Sequence, residues 1–327
     1  MTNALQYLVD FVNHMHYVCI MTIKKINNVY ILGLGAIGAT YAAKLYDMDP
    51  AIVKIIADQG RIASFQKIGC KVNGKTYSFD FITPDEERPP ADLIIVAVKS
   101  MHLQKAIQDI KGFVGKDTVV ISLLNGISSE ELIGQEIGMN HLLYAYGVGM
   151  DAVREGTAIN YTNIGKVVFG EKNNETYSER VLAIKTLFEQ ACIPFVIPQD
   201  MERALWVKFM MNVGVNQVSA VLKAPYGMFK QDTHALELVL MAAGEVLTLS
   251  KAHGIPLHHN DINDFVKIIN GLNPDGKTSM LQDVEAGRET EVDIFAGAVI
   301  ELGKKYGIQT PVNDTLYRII KVAGQTQ

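Results

Sequence analysis

The first half of the chain alternates between short apolar runs and amphipathic stretches of helical period. Uninterrupted apolar runs are typical of strands that are buried on both faces of a parallel sheet. They occupy residues 29–32, 52–57, 92–98, 118–124 and 141–148. Helical patterns lie near residues 60–68, 102–110 and 177–191. This alternation predicts an α/β fold built on a Rossmann-type, doubly wound parallel sheet with helices on both faces.

Other short segments of this half do not follow the parallel pattern. Residues 70–82 alternate between apolar and polar positions around Asn73-Gly74, a typical hairpin turn. Residues 157–170 predict an antiparallel addition to the sheet, and residues 194–197 predict a last strand.

The pattern becomes helical at 198–200 and stays so to the end of the chain. We therefore predict a dinucleotide-binding Rossmann-type domain over residues 28–199, followed by an all-helical second domain over residues 200–327. Residues 1–27 are expected to form an N-terminal extension outside the fold. Met21 is a candidate start of the protein, in which case residues 1–20 would come from an upstream start codon.

A competing interpretation concerns the first 20 residues. They would form a short amphipathic helix that packs on the surface through apolar residues at helical spacing, which are Leu5, Leu8, Val9 and Val12.

Composition narrows the class of protein. The 327 residues are 48% hydrophobic and 20% charged, as in a globular protein, and the net charge is −5 without a basic run. We therefore expect no nucleic-acid partner. No apolar stretch is long enough to span a bilayer, so we expect no membrane partner. The scattered cysteines Cys19, Cys70 and Cys192 argue against a metal site and fit the reducing cytoplasm.

A glycine-rich turn follows the first apolar run. The spacing G-x-G-x-x-G lies between a predicted strand and an alanine-rich helix, which is the context that dinucleotide binding requires. Gly33 permits the tight turn, Gly35 leaves room for a pyrophosphate, and Gly38 allows close packing of helix and strand. The first turn of the helix offers free N–H groups to phosphates. The predicted cofactor-binding residues are Gly33, Leu34, Gly35, Ala36, Ile37 and Gly38.

Asp58 lies at the end of the second predicted strand, 20 residues after Gly38. An acid at this position typically accepts hydrogen bonds from the adenine ribose hydroxyls, and it disfavours a 2′-phosphate. This interpretation indicates NAD. Two alternatives stay open: Arg61 reaches a 2′-phosphate and favours NADP, or Asp58 is only a helix N-cap.

Lys99 and Asn125 each follow an apolar strand. In doubly wound folds, ligands bind at the carboxyl ends of the strands. Both residues are therefore candidates for a site, although either is also ordinary for an exposed loop or turn.

The helix predicted near 202–222 carries Lys208, Asn212 and Asn216 at i, i+4 and i+8, so they line one stripe. The surrounding positions are almost wholly apolar. A buried lysine has a lowered pKa, which suits it to proton donation near neutral pH. The alternative is a snorkelling lysine with two core asparagines bonded to the backbone.

A third cluster comprises residues 278–283 and 288–293. Ser279 and Glu291 are the candidate polar groups, 12 positions apart. By themselves they are equally typical of a helix cap and a solvated charge run.

Together these motifs resemble the ketopantoate reductase (2-dehydropantoate 2-reductase) family over roughly residues 28–322. The matching motifs are GLGAIG at 33–38, VKS at 98–100, NGI at 125–127, LWVKFMMNVGVN at 205–216, SMLQD at 279–283 and TEVD at 290–293. The resemblance implies a Rossmann domain and a helical domain with the site in the cleft between them.

The resemblance also implies residue roles. Lys208 corresponds to the catalytic general acid that protonates the substrate carbonyl oxygen. Glu291 corresponds to a glutamate that supports this lysine and holds a substrate hydroxyl. The implied substrate contacts are Asn125, Asn212, Asn216 and Ser279, and the implied cofactor contacts are Lys99, Asn125 and the glycine turn.

The expected activity is hydride transfer from a nicotinamide cofactor to the C2 carbonyl of 2-dehydropantoate, a step of pantothenate biosynthesis that needs no metal. The family implies NADP(H), but Asp58 replaces an arginine that binds the 2′-phosphate in many members, so NAD(H) is the alternative. Two alternative functions are an NAD-linked D-2-hydroxyacid dehydrogenase that acts on bulky branched 2-keto acids and a non-catalytic nucleotide-redox sensor. The expected partner is a small 2-keto acid, and a homodimer is the candidate assembly.

Overall fold

A computed structural model of the protein describes residues 24–325, so the predictions for the first 20 residues lie outside the described part. Residues 24–27, which we assigned to the extension, instead belong to the fold. Ile26 is buried in the core, and the backbone N–H of Asn27 donates to Asp92 Oδ2 at 2.9 Å. Lys24 forms an ion pair with the same carboxylate at 3.1 Å. The boundary was wrong because one apolar residue between lysines and asparagines gives no period to detect.

The first part of the chain is built on an eight-stranded sheet. Its strands are β1 (Val29–Leu32), β2 (Val53–Ile56), β5 (Asp80–Ile82), β6 (Leu93–Val96), β7 (Val119–Ser122), β8 (Leu142–Met150), β11 (Ile164–Gly170) and β12 (Phe195–Val196). The spatial order is β12-β11-β8-β7-β6-β1-β2-β5. The six strands from β5 to β8 are parallel to one another, whereas β11 pairs antiparallel to β8. This confirms the predicted doubly wound sheet and its antiparallel addition.

Helices cover both faces of this sheet. They are α1 (Ala36–Met48), α2 (Gln59–Ile68), α3 (Leu103–Ile110), α4 (Ser129–Ile137) and α5 (Glu179–Gln190). Alternate residues of β1 enter opposite cores: Val29 and Ile31 lie in one cluster, and Tyr30 and Leu32 lie in the other. This double burial is the reason that the strand is apolar at every position.

A second sheet has the order β4-β3-β10-β9, with β3 (Cys70–Val72), β4 (Lys75–Tyr77), β9 (Val153–Glu155) and β10 (Ala158–Asn160). The predicted hairpin at Asn73-Gly74 is confirmed, and both turn residues have positive φ. The prediction missed that β10 leaves the main sheet to pair with β3. An isolated two-stranded hairpin is only marginally stable, so the extra strands stabilise it.

The second part of the chain is helical in the described residues, as predicted. Its helices are α6 (Met201–Leu222), α7 (Met228–Gln231), α8 (Thr233–His253), α9 (His259–Gly271), α10 (Ser279–Glu285), α11 (Ala296–Tyr306) and α12 (Pro311–Gln325). Long helices α6 and α8 pack against each other around a core of their own that includes Phe209, Val213 and Val239. We propose the domain boundary near residue 199, because α6 starts immediately after it.

Within residues 24–325, no helix is both long and apolar enough to cross a membrane.

Candidate functional site

The glycine turn has the geometry that a dinucleotide pyrophosphate requires. Gly33 follows β1 with φ of +105°, a conformation that L side chains rarely adopt. A Cβ atom on Gly38 would lie 1.9 Å from the Gly33 carbonyl oxygen, so this glycine is needed for packing of α1 on the turn. A Cβ atom on Gly35 would meet only the Ala97 carbonyl oxygen, at 4.0 Å.

The space in front of Gly35 fits a phosphate group. Gly35 is the N-cap of α1, and no side chain caps the helix there. The first N–H groups of the helix and its dipole therefore face open space that a Cβ atom would narrow. The turn also lies at the carboxyl end of β1, beside β6. Between these two central strands the strand order reverses, which is the topological switch point of the sheet. The glycine turn therefore fits the nicotinamide cofactor that the sequence predicts.

Asp58 follows β2, at the same edge of the sheet. Its Oδ1 accepts the backbone N–H of Arg61 at 2.8 Å, so Asp58 is the N-cap of α2, as one alternative predicted. Its other oxygen, Oδ2, lies 3.9 Å from Arg61 Nε, and both side chains are more than half exposed. Capping uses only one carboxylate oxygen, so a second contact with a ribose hydroxyl is compatible with it.

Lys99 follows β6 and reaches the helical part of the chain. Its ammonium donates to Asp283 Oδ1 at 2.8 Å. The same oxygen accepts from Arg288 Nε, also at 2.8 Å. Asp283 is 6% exposed. The positive charges of Lys99 and Arg288 offset its buried negative charge. Lys99 therefore joins the two sides of the cleft.

Asn125 begins the turn after β7 and contacts two groups of the helical part. Its Nδ2 donates to Glu291 Oε2 at 3.1 Å, and its Oδ1 accepts from Asn212 Nδ2 at 3.4 Å. The predicted site residues Asn125, Asn212 and Glu291 are thus brought together although they are distant in sequence.

Helix α6 presents the predicted stripe. The Asp200 side chain accepts the Arg203 N–H at 2.9 Å and starts the helix, and apolar residues such as Trp206 and Met210 bury the face away from the stripe. Asn212 and Asn216 are each 6% exposed. Asn212 touches Asn125, and the residues one turn away along α6, Lys208 and Asn216, lie on the same side of the helix.

Lys208 lies one turn before Asn212 on this stripe. Among the residues that the structure describes, its ammonium makes no hydrogen bond or ion pair. Burial lowers the pKa of Lys208 to about 8, while part of the side chain remains accessible. A lysine in this state is a proton donor at neutral pH that can give up its proton readily.

Glu291 lies in the turn before a short 3₁₀ helix, Val292–Ile294. Its Oε1 accepts the backbone N–H of Ser100 at 3.1 Å, and its Oε2 accepts from Asn125. Glu291 is the N-cap residue of this 3₁₀ helix, but its side chain makes no capping hydrogen bond and is not a solvated charge, because both of its oxygens are bonded to the Rossmann side. The expected support of Lys208 by Glu291 is not a direct contact, because both carboxylate oxygens are directed at the loops after β6 and β7.

Ser279 is the first residue of α10 and is exposed. Within residues 24–325, its hydroxyl has no hydrogen-bond partner. The helix cap is instead Thr278, whose Oγ1 accepts the Leu281 N–H at 3.1 Å and donates to Ser219 Oγ at 3.2 Å. The structure does not bond Ser279 to the Asn125–Glu291 cluster, so its role as a substrate contact stays a prediction.

Sequence reasoning missed the site roles of Asp283 and of the Ser100 backbone. Asp283 stood in the SMLQD motif, but nothing in the spacing paired it with Lys99, 184 positions away. A backbone N–H leaves no signal in the sequence at all.

The chain resembles proteins of known type over most of its length. It is 27% identical to a 2-dehydropantoate 2-reductase of Streptococcus pyogenes serotype M3 over 287 residues, which cover 86% of this chain and 93% of the relative.

Solved structures share the fold. A D-mandelate dehydrogenase solved with NADH and anilino(oxo)acetate has a TM-score of 0.81 at 23% identity, and the match covers 91% of this chain and 99% of that one. A dimeric ketopantoate reductase from Staphylococcus aureus has a TM-score of 0.77 at 19% identity, with the same coverage.

Two family models together match most of the chain. The model of ketopantoate reductase PanE/ApbA matches residues 29–174, and the model of ketopantoate reductase PanE/ApbA C terminal matches residues 200–324. The matched ranges contain the glycine turn and the cleft residues of both parts. This chain belongs to the ketopantoate reductase family.

Proposed function

We propose that this protein reduces 2-dehydropantoate to pantoate, with a nicotinamide cofactor as the hydride donor. The observation that carries the proposal is Lys208, an unpaired lysine with a pKa of about 8 on the asparagine stripe that faces Asn125. The family of the chain and the relative from Streptococcus pyogenes support the same activity.

The bound reduced nicotinamide supplies the hydride that C2 of the keto acid accepts. The Lys208 ammonium donates a proton to the carbonyl oxygen as the hydride arrives, and its charge stabilises the developing alkoxide. Since the lysine has no competing anion among the described residues, its charge is free to act on that oxygen. General acid catalysis of this kind contributes about 10²–10⁴-fold.

The remaining polar residues orient the substrate. Asn212 and Asn216 lie on the stripe of Lys208 at successive turns of α6, where their amides bond the carboxylate and hydroxyl groups of a keto acid. Ser279 completes this set from the start of α10. Asn125 connects the Rossmann side, where we place the cofactor, to the helical side, because it touches Asn212 and Glu291 at once.

Glu291 acts from the helical side, the side that also carries Lys208. By bonding the Ser100 N–H and the Asn125 amide, it fixes two loops at the carboxyl ends of β6 and β7. Rearrangement around a bound ligand frees one of its oxygens to hold the substrate hydroxyl. Lys99, bonded to Asp283, lies beside the same loops as a cofactor contact.

For the cofactor we propose weak discrimination between NADPH and NADH. Asp58 places a negative charge where an arginine would attract a 2′-phosphate, and Arg61 at 3.9 Å offsets that charge in part. Gly33, Leu34, Gly35, Ala36, Ile37 and Gly38 bind the pyrophosphate in either case.

An initial-rate assay tests this function directly. Purified protein is given 2-dehydropantoate with NADPH and, in parallel, with NADH, and a bulky aromatic 2-keto acid serves as the competing substrate. We expect the highest kcat/KM with 2-dehydropantoate. A higher kcat/KM with the aromatic keto acid would favour a D-2-hydroxyacid dehydrogenase, and cofactor binding without turnover would favour a redox sensor.

We also propose a homodimer, as in the Staphylococcus aureus relative, in the reducing cytoplasm that the cysteine pattern predicts. Light scattering during size-exclusion chromatography measures the mass, and 36.0 kDa is the value for a monomer.

A further inference from the structure

A buried carboxylate lies outside the groups that the proposed mechanism uses. Glu130 is the second residue of α4 and is 2% exposed. Its Oε2 accepts from Ser129 Oγ at 2.9 Å, and its Oε1 accepts the Ala145 N–H of β8 at 3.4 Å. No basic side chain pairs with it within the described part of the chain.

The hydrogen bonds of Glu130 continue to the end of β7. Ser122, the last residue of that strand, donates its hydroxyl to Ser129 Oγ at 2.8 Å. Ser122 Oγ also accepts the Leu124 N–H at 3.4 Å. The relay Glu130–Ser129–Ser122 therefore ties together the two ends of the loop 123–128, one at β7 and one at α4.

This loop is one of the parts of the Rossmann side that contact the helical side. Asn125 bonds Glu291 and Asn212. A Cβ atom on Gly126 would lie 3.4 Å from Ile294, and Ile127 packs against the helical core. A displacement of the loop would move Asn125 relative to both walls of the cleft.

Burial of a carboxylate is costly, and here it raises the pKa of Glu130 to about 7. Glu131 on the same helix and Tyr144 on β8 interact with it electrostatically. The hydrogen bonds that offset the cost come from the Ser129 hydroxyl, from the Ala145 N–H of β8 and from the backbone of Glu130 itself in the first turn of α4. The group is thus held at the base of the loop rather than on a surface.

We propose that Glu130 is a positioning residue that acts through Ser129 and Ser122 to hold Asn125 in place for the reaction. The inference rests on the proposed function for its kinetic consequence, but the loop geometry that it invokes is independent of which substrate is reduced.

Hydrogen exchange tests the geometry without any activity. In Glu130→Ala, amides of the loop 123–128 are expected to exchange at least about tenfold faster, because the Ser122–Ser129 pair that ties the two ends of the loop loses the carboxylate that anchors it. Amides of the glycine turn and of α6 are expected to keep their rates. Glu131→Ala, which removes the exposed neighbouring carboxylate, is the matched control and leaves the loop unchanged.

Kinetics test whether the effect passes through Asn125. Glu130→Ala is expected to lower kcat/KM for the keto acid about tenfold or more, as small displacements of a positioned group do, with the Kd of NADPH and NADH within twofold. When Asn125 is already alanine, Glu130→Ala is expected to lower kcat/KM by less than a further twofold. Glu130→Gln, whose oxygen still accepts from Ser129 while its NH₂ group faces the Ala145 N–H, is expected to recover part of the loss.

The outcomes separate cleanly. The inference would be overturned if Glu130→Ala lowered kcat/KM equally in the parent and in Asn125→Ala. Unchanged amide hydrogen exchange in the loop 123–128 would also overturn it. If Glu130→Ala does not fold, Ser122→Ala removes only a hydroxyl and carries the same expectations. If the unaltered protein reduces no 2-keto acid, the proposed function fails, and the exchange experiment still decides whether Glu130 holds the loop.

Discussion

The Glu291 carboxylate accepts the Asn125 side-chain amide at 3.1 Å, across the cleft between the helical and the Rossmann parts of the protein. The other oxygen of the same carboxylate holds the Ser100 N–H, so one residue bridges to two loops of the sheet. With Lys99 bonded to Asp283, these contacts determine the distance between the proposed cofactor and proton-donor sides.

This bridge predicts the effect of Glu291→Gln. Glutamine keeps one acceptor but presents an NH₂ group to one of the two donors, so a hydrogen bond is lost and two donors face each other. We expect a loss of about tenfold in kcat/KM, which corresponds to about 1.4 kcal/mol. A double-mutant cycle with Asn125→Ala should show coupling, whereas Glu289→Gln, at an exposed neighbouring position, should change kcat/KM less than twofold. If the effects of Glu291→Gln and Asn125→Ala on kcat/KM were fully additive, Glu291 would not act through its hydrogen bond to Asn125.

Replacement of Lys208 tests the general acid. Lys208→Ala removes the proton donor and its charge, so turnover should fall by about 10²–10⁴. The Kd of the cofactor, measured by fluorescence titration, should stay near that of the parent because Lys208 is on the helical side. Turnover within threefold of the parent would rule out the role.

The pH dependence follows from the lowered pKa of Lys208. The ammonium form is needed for proton donation, so kcat/KM for reduction should be level below pH 8 and fall about tenfold per unit above it. Since burial lowers the pKa to about 8, the cost of burying the charge is present below pH 8 and is relieved as pH rises toward 10.5. The unfolding free energy of the parent should therefore rise over that interval relative to Lys208→Met. A kcat/KM profile that is flat to pH 10 would contradict the assignment.

Gly35 and Gly38 should respond differently to substitution. A side chain at Gly35 meets only the Ala97 carbonyl oxygen at 4.0 Å, and its φ of −79° suits any residue. Gly35→Leu should therefore fold normally but lose cofactor binding. Gly38→Ala places a Cβ atom 1.9 Å from the Gly33 oxygen and should lower the melting temperature.

The matched control for the glycine pair is Gly244→Leu in α8, where a Cβ atom has no neighbour within 4 Å. It should keep both stability and cofactor binding, apart from the small gain of replacing glycine in a helix. Unchanged titration of Gly35→Leu with NADH and NADPH would show that the pyrophosphate does not lie at this turn.

The features that the sequence predicted are local ones. Strands buried on both faces are apolar at every position, so β1, β6 and β7 could be located from composition alone. The glycine turn and the stripe of Lys208, Asn212 and Asn216 depend on spacings of a few residues, which a strand–turn–helix unit or a single helix preserves in three dimensions.

The features that could not be predicted join distant parts of the chain. Glu291 and Ser100 are 191 positions apart, and no periodicity links them. The burial of Glu130 leaves no signal in the sequence, because only the tertiary packing of α4 on β8 buries it. Ile26 escaped notice for the same reason, since its burial depends on the sheet that it joins.

Asp58 provides the test of cofactor choice. The carboxylate lies at the end of β2, where the adenine ribose is expected, and a 2′-phosphate there would be repelled. Like charges a few ångströms apart, partly shielded by solvent, repel by about 1–4 kcal/mol, and Arg61 at 3.9 Å from Asp58 offsets part of this. We therefore expect less preference for NADPH than an arginine at position 58 would give.

Asp58→Arg should shift the ratio of kcat/KM values toward NADPH by about tenfold or more, which needs only about 1.4 kcal/mol. Because Asp58 also caps α2 through the Arg61 N–H, the substitution should lower stability by about 1 kcal/mol. Asp58→Asn retains the cap without the charge, so it separates the two effects: it should shift the ratio toward NADPH at nearly parental stability. If the parent already favours NADPH by several orders of magnitude, Asp58 does not face the ribose, and its side chain serves only as the cap of α2.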